Sequence, residues 1–199
     1  MHYDPRVNDH GLPHNPFLAT VVPRPIGWIS SLSPEGVLNL APYSCFNAVA
    51  TEIPFLMFAS GGPKDSFRNV EATGEFVVNM ATFELREAVN LTSSVVPPEV
   101  DEATLAGLEM VPSIMVKPPR VARSPIAHEC KYVKTVTLDR LDGQPHPTRI
   151  VIGQVVNVYI DDDVLRDGLI DITRVRPLTR LGYMEYSSID TSFTMPRPR

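Results

Sequence analysis

The run Asn39-Leu40-Ala41-Pro42-Tyr43-Ser44-Cys45-Phe46-Asn47 is apolar and strand-like but has a proline near its middle. Because proline has no N–H to give to a β-ladder, Pro42 predicts a sheet edge, a bulge or a corner of the sheet. Backbone groups beside such a break must bind water, a side chain or a ligand. Two interpretations follow: a bulged strand that bonds to its own side chains, or an open strand edge that binds a ligand.

The residues next to Pro42 are small, which would let a planar ring approach the backbone. They are Ala41, Ser44 and Cys45. A flavin ring suits such an edge, because its pyrimidine side carries alternating hydrogen-bond donors and acceptors while its body is apolar. The edge around Pro42 is therefore a candidate flavin-binding site.

A second candidate site follows an apolar run at residues 55–59. It is a glycine-containing loop that leads into a predicted helix over residues 65–72: Ser60-Gly61-Gly62-Pro63-Lys64-Asp65-Ser66-Phe67-Arg68-Asn69. Free N–H groups at a helix N-terminus favour an anion, and Lys64 and Arg68 add positive charge. A terminal phosphate needs such donors, although the spacing is neither that of a P-loop nor GxGxxG. The alternative is an ordinary helix capped by Asp65, with Lys64 in solvent.

Composition excludes several classes of protein. The chain has 199 residues, of which 43% are hydrophobic and 21% charged, so it can form one soluble core. Its 20 prolines argue against helix bundles, coiled coils and helical repeats. A net charge of −5 argues against a nucleic-acid partner. No apolar run approaches the ~18 residues that span a bilayer, and the N-terminus lacks the pattern of a signal peptide.

Cysteine and histidine usage predicts neither a metal site nor a disulfide framework. Cys45 and Cys130 are far apart in sequence and lack CxxC spacing. Two free thiols are the simpler interpretation, and a single disulfide is the alternative. None of the five histidines forms an HExxH or HxH motif. We therefore expect a reduced, cytoplasmic protein without a metal, a membrane anchor or a nucleic-acid partner.

Hydrophobic patterning predicts a mainly β fold with short helices, in one domain spanning residues 1–199. The predicted strands cover residues 26–32, 37–41, 55–59, 75–80, 130–138 and 149–160. The predicted helices cover residues 65–72, 82–91 and 101–108, the last with Asp101 near its cap. Residues 1–22 read as an extended, proline-broken lead-in. The strand at 149–160 is apolar on both faces, so we expect the barrel core on one face and a partner subunit on the other.

Together, the strand edge around Pro42 and the glycine-containing loop at residues 60–69 indicate an FMN site. The same stretches resemble a known family. Pro23-Arg24-Pro25-Ile26-Gly27-Trp28-Ile29-Ser30-Ser31 is similar to the opening of the flavin reductase-like, FMN-binding split-barrel proteins. The family's later motifs follow in order at residues 39–44, 64–66, 68–69, 75–79, 177–178 and 180–182, and at Phe193 with Met195. The resemblance implies a six-stranded Greek-key split β-barrel over residues 23–199. It also implies a homodimer with FMN near the dimer interface.

The resemblance also assigns cofactor-binding residues. It places Ser30 and Ser31 near the ribityl phosphate, residues 41–47 along the isoalloxazine edge, and residues of the glycine-containing loop at the phosphate end. The full set is Ser30, Ser31, Asn39, Ala41, Pro42, Tyr43, Ser44, Cys45, Asn47, Ser60, Lys64, Asp65, Ser66 and Asn69. This chain departs from the family pattern at Cys45, where a bulky aromatic residue is common, and in the Gly61-Gly62-Pro63 loop.

The implied function is that of an FMN-dependent oxidoreductase with NADH or NADPH as hydride donor. The hydride passes from nicotinamide C4 to flavin N5, and the electrons then go to a small acceptor or an oxygenase partner. No side chain is assigned a catalytic role, because the cofactor carries the chemistry and the protein orients it. The alternatives are a non-catalytic FMN-binding electron-transfer or flavin-carrier protein, and a split barrel that has lost its flavin.

Overall fold

Seven antiparallel strands form the principal sheet of the protein, seen in a computed structural model that describes residues 1–198. In chain order the strands are β1 (Arg24–Pro25), β2 (Gly27–Leu32), β3 (Leu38–Tyr43), β4 (Phe46–Ala50), β5 (Phe55–Ser60), β6 (Glu75–Met80), β7 (Met110–Val111), β8 (Arg120–Val121), β9 (Ile126–Asp139), β10 (Pro145–Ile160), β11 (Leu165–Arg166), β12 (Leu169–Ile170), β13 (Leu178–Arg180) and β14 (Tyr186–Ser188). The helices are α1 (Asp65–Thr73), α2 (Arg86–Leu91), α3 (Glu102–Leu105) and α4 (Ile172–Val175), with 3₁₀ turns at Phe17–Ala19, Phe83–Leu85 and Asp162–Val164. Within residues 1–198, no helix has the length and apolar character needed to cross a membrane.

The two edges of the principal sheet are consecutive in the chain. The strand order is β3-β2-β6-β9-β10-β5-β4, and all neighbours are antiparallel. Only Ser44 and Cys45 separate β3 from β4, so the chain turns there from one edge of the sheet to the other. The sheet has seven strands and not the expected six, because the chain bends at Ser44 and Cys45 and continues as a separate strand, β4. Pro42, beside the corner, lies on an edge strand, as its missing N–H predicts.

The curled sheet encloses an aromatic and aliphatic core. Its fully buried side chains include Ile29, Phe58, Phe76 and Val151. A Cβ on Gly153 would lie 2.5 Å from the Phe76 ring, so β10 needs a glycine where this ring packs. α1 covers β2 and β3 and adds its own apolar residues to the same core. The helix is thereby held against the strand that contains Pro42.

Predicted and observed boundaries agree best where a turn or cap residue marks them. The predicted hairpin is present as β2 and β3, and its ladder continues two residues beyond the predicted strand end, to the pair Gly27–Tyr43. α3 begins after Asp101, whose carboxylate accepts two N–H groups of the first turn. The predicted helix over 82–91 is instead a 3₁₀ turn followed by α2. The strands predicted over 130–138 and 149–160 are longer, as β9 and β10, because bulges let the ladder continue where the alternation fails.

The two ends of the chain meet in a second, three-stranded sheet. β1 pairs with β13, and β13 pairs with β14. The lead-in at residues 1–22 has no strand, and its 3₁₀ turn packs closely on the C-terminal part of the chain. A Cβ on Gly182 would lie 2.4 Å from Ala19 Cβ. The buried Arg24 side chain donates hydrogen bonds to Val21 O and Leu181 O over 2.6 and 2.8 Å, which joins the two ends.

Candidate functional site

The N-terminus of α1 is open and positively charged. Its N-cap residue is Lys64, whose backbone is extended (φ −78°, ψ 166°), and no side chain caps the helix. Asp65 lies inside the first turn and pairs with Arg68, with 3.0 Å between Asp65 Oδ1 and Arg68 Nη1. The interpretation of Asp65 as the helix cap is therefore wrong. The first N–H groups of α1 lack a side-chain acceptor and, with the helix dipole, favour an anion.

Four polar side chains fix this helix on the sheet. Asn39 Nδ2 donates to Ser66 Oγ over 2.8 Å, and Asn69 Nδ2 donates to Ser31 Oγ over 3.3 Å. Ser31 and Asn39 are cross-strand partners in β2 and β3, and all four side chains are buried. They hold the first two turns of α1 over one point of the sheet. Ser31 and Asn69 thus join α1 to β2 and do not line the cleft.

A cleft of about 260 Å³ lies between β3, the start of α1 and the segment that follows α2. Its lining residues are Asn39, Ala41, Pro42, Tyr43, Lys64, Asp65, Ser66, Arg68, Thr92, Ser93, Ser94, Val95, Val96 and Glu102. The first seven of these are residues that the sequence analysis assigned to cofactor binding. Two separate stretches of chain therefore meet here, because α1 is anchored on β3. The open helix end and the edge strand share one cleft.

A second groove, of about 400 Å³, continues from the cleft, and the two share Pro42 and Ser93. We call it the arginine groove; its lining residues are Leu18, Arg24, Ile26, Pro42, Ser44, Val89, Asn90, Ser93, Arg180, Leu181, Tyr183, Met184 and Tyr186. Ser44 is the predicted ring contact that lies here. Cleft and groove together fall in the range of about 300–1,000 Å³ typical of small-molecule and cofactor sites.

Other predicted site residues do not line the cleft. Ser30 faces the opposite side of β2, where its hydroxyl donates to Pro119 O over 2.6 Å. Adjacent residues of a strand point to opposite faces, so the structure does not bring Ser30 to the phosphate end together with Ser31. Ser60 Oγ donates to Gly62 O over 2.7 Å and so braces the loop before α1. Cys45 and Asn47 are exposed at and beyond the sheet corner.

Tyr43 places its ring in the barrel core. Its ring centroid lies 4.8 Å from that of Phe58. Burial raises the pKa of Tyr43, and hydrogen bonding to the hydroxyls of Ser66 and Ser60 only partly opposes the rise. The phenol therefore stays neutral and buried. A role for Tyr43 at the edge of a bound ring rests on its backbone.

The cleft carries charges of both signs. Lys64 is exposed and takes part in none of the ion pairs formed within residues 1–198. Glu102 lies on another wall, and its Oε2 accepts a hydrogen bond from Leu40 N–H over 3.0 Å. Burial raises the pKa of Glu102, and the nearby carboxylates of Asp65 and Asp101 add to the rise, while the bond from Leu40 opposes it. Lys64 is thus the cation available to an anionic ligand.

The sequence analysis missed the cleft wall formed by residues 92–96. These residues follow α2, and no local motif marks them. Their place depends on a long-range contact, in which Trp28 Nε1 donates to Thr92 Oγ1 over 2.9 Å. The single tryptophan was the available signal, because a buried indole N–H needs an acceptor. The sequence did not tell which residue would supply it.

Comparisons with known proteins bear on both the fold and the cleft. The family model described as Flavin reductase like domain matches residues 19–179. An uncharacterized protein of Halalkalibacterium halodurans is 38% identical over 186 residues, which cover 91% of this chain and 88% of that protein. The solved structure of nitrilotriacetate monooxygenase component B from Bacillus cereus is 29% identical, with a TM-score of 0.88 over 98% of each chain. That of 2-nitrobenzoate 2-nitroreductase from Pseudomonas fluorescens is 27% identical, with a TM-score of 0.86 over 100% of this chain and 96% of the other.

The matched region contains the features on which the resemblance depended. The run at 39–47 and the loop at 60–69 both lie inside residues 19–179, as do all strands of the principal sheet. The split-barrel fold is confirmed by the curled sheet and by the structural likeness over nearly the whole chain. Of the arginine groove, Leu18 and the wall at residues 180–186 lie beyond the match. The chain therefore belongs to the flavin reductase-like family.

Proposed function

We propose that the protein is an FMN-dependent oxidoreductase that uses NADH or NADPH to reduce flavin and passes the electrons to a small acceptor or an oxygenase partner. One observation carries the proposal: the uncapped start of α1, bearing Lys64, opens into the same cleft as the proline-broken edge strand β3. An anion site beside an exposed backbone edge matches the phosphate and the ring of FMN.

The phosphate of FMN would lie at the start of α1. Lys64 and the first N–H groups of the helix supply positive charge and donors, and Ser66 supplies a hydroxyl. Asp65 would repel a phosphate, but its carboxylate is engaged by Arg68, which offsets the negative charge. The buried pairs Asn39–Ser66 and Asn69–Ser31 set the direction in which the helix points. These residues bind and position the phosphate end.

The ring would lie along β3 toward the sheet corner. The backbone from Ala41 to Ser44 borders the cleft and the arginine groove in turn, and β3 has a strand neighbour on one side only. When bound, FMN would supply the redox chemistry: a hydride acceptor at N5 for the nicotinamide and a donor of one or two electrons for the acceptor. The chain's own residues orient the ring and leave the groove beside it for a second molecule.

The related structures support both kinds of electron acceptor. One is named as component B of a monooxygenase, and the other as a nitroreductase. By analogy, electrons from this protein would go either to a separate oxygenase or directly to a small oxidised compound. No side chain in the cleft needs to act as a general acid or base in this scheme.

A homodimer is part of the same proposal. β10 exposes two large apolar side chains two residues apart, Val158 and Ile160, which are exposed to 46% and 37%. Exposed apolar surface of this kind marks an interaction site, and a second copy of the chain would remove it from water. Analytical ultracentrifugation tests the dimer, and Val158→Lys should shift the protein toward the monomer.

The proposed function is tested by flavin titration followed by anaerobic reduction. FMN added to the purified protein should change its visible spectrum on binding, and NADH or NADPH should then bleach it. A bound flavin that neither nucleotide bleaches would identify a flavin carrier instead. If no flavin bound at all, the alternative of a split barrel that has lost its flavin would be supported. Lys64→Ala should weaken FMN binding, because Lys64 is the cation at the proposed phosphate site, and Lys134→Ala, at an exposed lysine of β9 outside the cleft, is its matched control.

A further inference from the structure

The arginine groove has an unbalanced charge. Among residues 1–198 it is lined by Arg24 and Arg180 and by no aspartate or glutamate, although the chain as a whole has a net charge of −5. Every other polar lining residue is neutral. Two cations without a carboxylate, in a groove that also holds two tyrosines, favour a ligand that combines a negative group with an apolar ring.

Arg24 is a buried cation without a counter-ion. Its side chain is only 7% exposed, and it forms no ion pair within residues 1–198. Its guanidinium donates to the carbonyl oxygens of Leu18, Val21 and Leu181, while its Nε is buried with no hydrogen-bond partner. Burial of an uncompensated charge is costly, so an anion in the groove would be stabilised there.

Arg180 lines the groove and is held by two neighbouring tyrosine residues. Its guanidinium carbon lies 4.3 Å from the centroid of the Tyr186 ring, and one of its N–H groups donates to Tyr183 O. Its remaining guanidinium N–H groups have no hydrogen-bond partner in the part of the chain that the structure describes. The turn that follows is held by the contact of Gly182 with Ala19, and Tyr183 has a left-handed backbone (φ 57°). Backbone strain of this kind persists where the surroundings impose it, often at ligand sites.

We propose that the arginine groove binds a planar substrate through an anionic group held by Arg180, with Arg24 supplying a second positive charge. The inference rests on the proposed function, because the groove meets the flavin cleft at Pro42 and Ser93, so a planar substrate there lies beside the ring. The anionic group has two chemical sources: the carboxylate of an aromatic acceptor, or the phosphates of a pyridine nucleotide. Both carry oxygens that a guanidinium binds in the same way.

Equilibrium binding to the FMN-saturated protein tests the inference with charged and uncharged probes. Arg180→Gln should weaken the binding of an anionic probe by about tenfold or more, since a charged hydrogen bond is lost. Benzoate represents the carboxylate source and NAD⁺ the phosphate source, and the probe that loses affinity identifies which source the groove binds. Benzamide, the uncharged analogue of benzoate, should keep its affinity within about twofold. Arg180→Lys should lie between the wild type and Arg180→Gln, because it keeps the charge but not the planar fork.

Arg140→Gln is the matched control, since Arg140 is an exposed arginine outside the groove that pairs with Asp142. The inference is overturned if neither anionic probe binds the wild type, if Arg180→Gln leaves both affinities unchanged, or if it weakens FMN binding as much as anion binding. The last result would make Arg180 part of the flavin site. If FMN itself does not bind, the proposed function fails separately, and the same probes and variants decide the inference in the flavin-free protein.

Discussion

The cleft and the arginine groove touch at Pro42 and Ser93, yet they are built in opposite ways. Most of the cleft comes from two stretches close together in sequence, 39–43 and 64–68, which are joined through the anchor of α1 on β3. The groove is closed by the two ends of the chain, with Arg24 and the 3₁₀ turn on one side and residues 180–186 on the other. A site coded locally can be recognised by its motif, whereas one closed by distant segments is recognised only in the folded chain.

The largest effect expected from this difference is on the groove. Arg24→Ala removes the cation that bonds to three backbone carbonyls and leaves them without their donor. We expect the free energy of unfolding to fall by about 3 kcal/mol, since hydrogen bonds to charged groups contribute about 1.5–3 kcal/mol each and relaxation recovers part. Urea denaturation measures the loss. Limited proteolysis should show earlier cleavage within residues 1–22.

If the cleft and the groove are independent, the cleft should not depend on Arg24. The affinity of Arg24→Ala for FMN should stay within about threefold of the wild type at temperatures where both are folded. Arg140→Ala serves as control for the loss of an arginine elsewhere. A loss of FMN affinity as large as that of Lys64→Ala would show that groove and cleft are one structural unit.

In the cleft, the largest loss of FMN affinity should come from Lys64. Lys64→Ala removes a cleft cation that has no ion pair within the described residues, and the affinity for FMN should fall by about 1.5–3 kcal/mol, or roughly 10- to 150-fold. Stability should hardly change, because Lys64 is exposed. Fluorescence titration measures the affinity. Riboflavin, which lacks the phosphate, should bind equally well to Lys64→Ala and to the wild type; an equal loss for riboflavin would place Lys64 at the ring.

The same contrast explains what the sequence could predict. The hairpin, α1 and the central strands follow from local patterns, and the proline at an edge strand follows from its missing N–H. The sequence also contains the signal that separates Ser30 from Ser31, because adjacent residues of a strand point to opposite faces. Residues 92–96 and Glu102 carry no motif, and the motif at residues 180–182 does not reveal that Arg180 shares a groove with Arg24, because these placements depend on how α2, α3 and the C-terminus pack. A linear pattern does not contain that packing.

The third prediction separates positioning from direct binding within the cleft. Asn39→Ala leaves Ser66 Oγ without its buried donor and should cost about 1–2 kcal/mol of stability. Asn69→Ala, which breaks the longer bond to Ser31, should cost less. Urea denaturation of both variants gives the order. FMN affinity should fall only a few-fold, about threefold for Asn39→Ala, since α1 loosens but keeps its N–H groups and Lys64. A collapse of affinity in Asn39→Ala without loss of stability would mean that Asn39 binds the cofactor itself.

The smallest effect is a pH dependence that arises at Glu102. Burial raises its pKa above the ordinary value of 4.5, so between the two values the folded protein holds a proton that the unfolded chain releases. Stability therefore falls as pH rises from 4.5 through the raised value, and the full cost applies above it. Glu102→Gln keeps an oxygen for Leu40 N–H but does not titrate. Relative to the wild type, this variant should gain stability as the pH rises above 4.5, and it should keep that gain once the wild-type carboxyl group is ionised.

Glu102 also links this pH dependence to the contrast between cleft and groove. The carboxylate of Glu102 lines the cleft and not the groove. Loss of its charge should therefore tighten FMN binding, by a smaller factor than the loss expected for Lys64→Ala. The binding of benzoate or NAD⁺ in the groove should not change. Urea denaturation and FMN titration across the pH range measure both effects, with the exposed Glu109→Gln as control. A stability difference that shrinks as pH rises would contradict the raised pKa. If Glu102→Gln tightened the binding of benzoate or NAD⁺ but not that of FMN, the carboxylate of Glu102 would act on the arginine groove and not on the cleft.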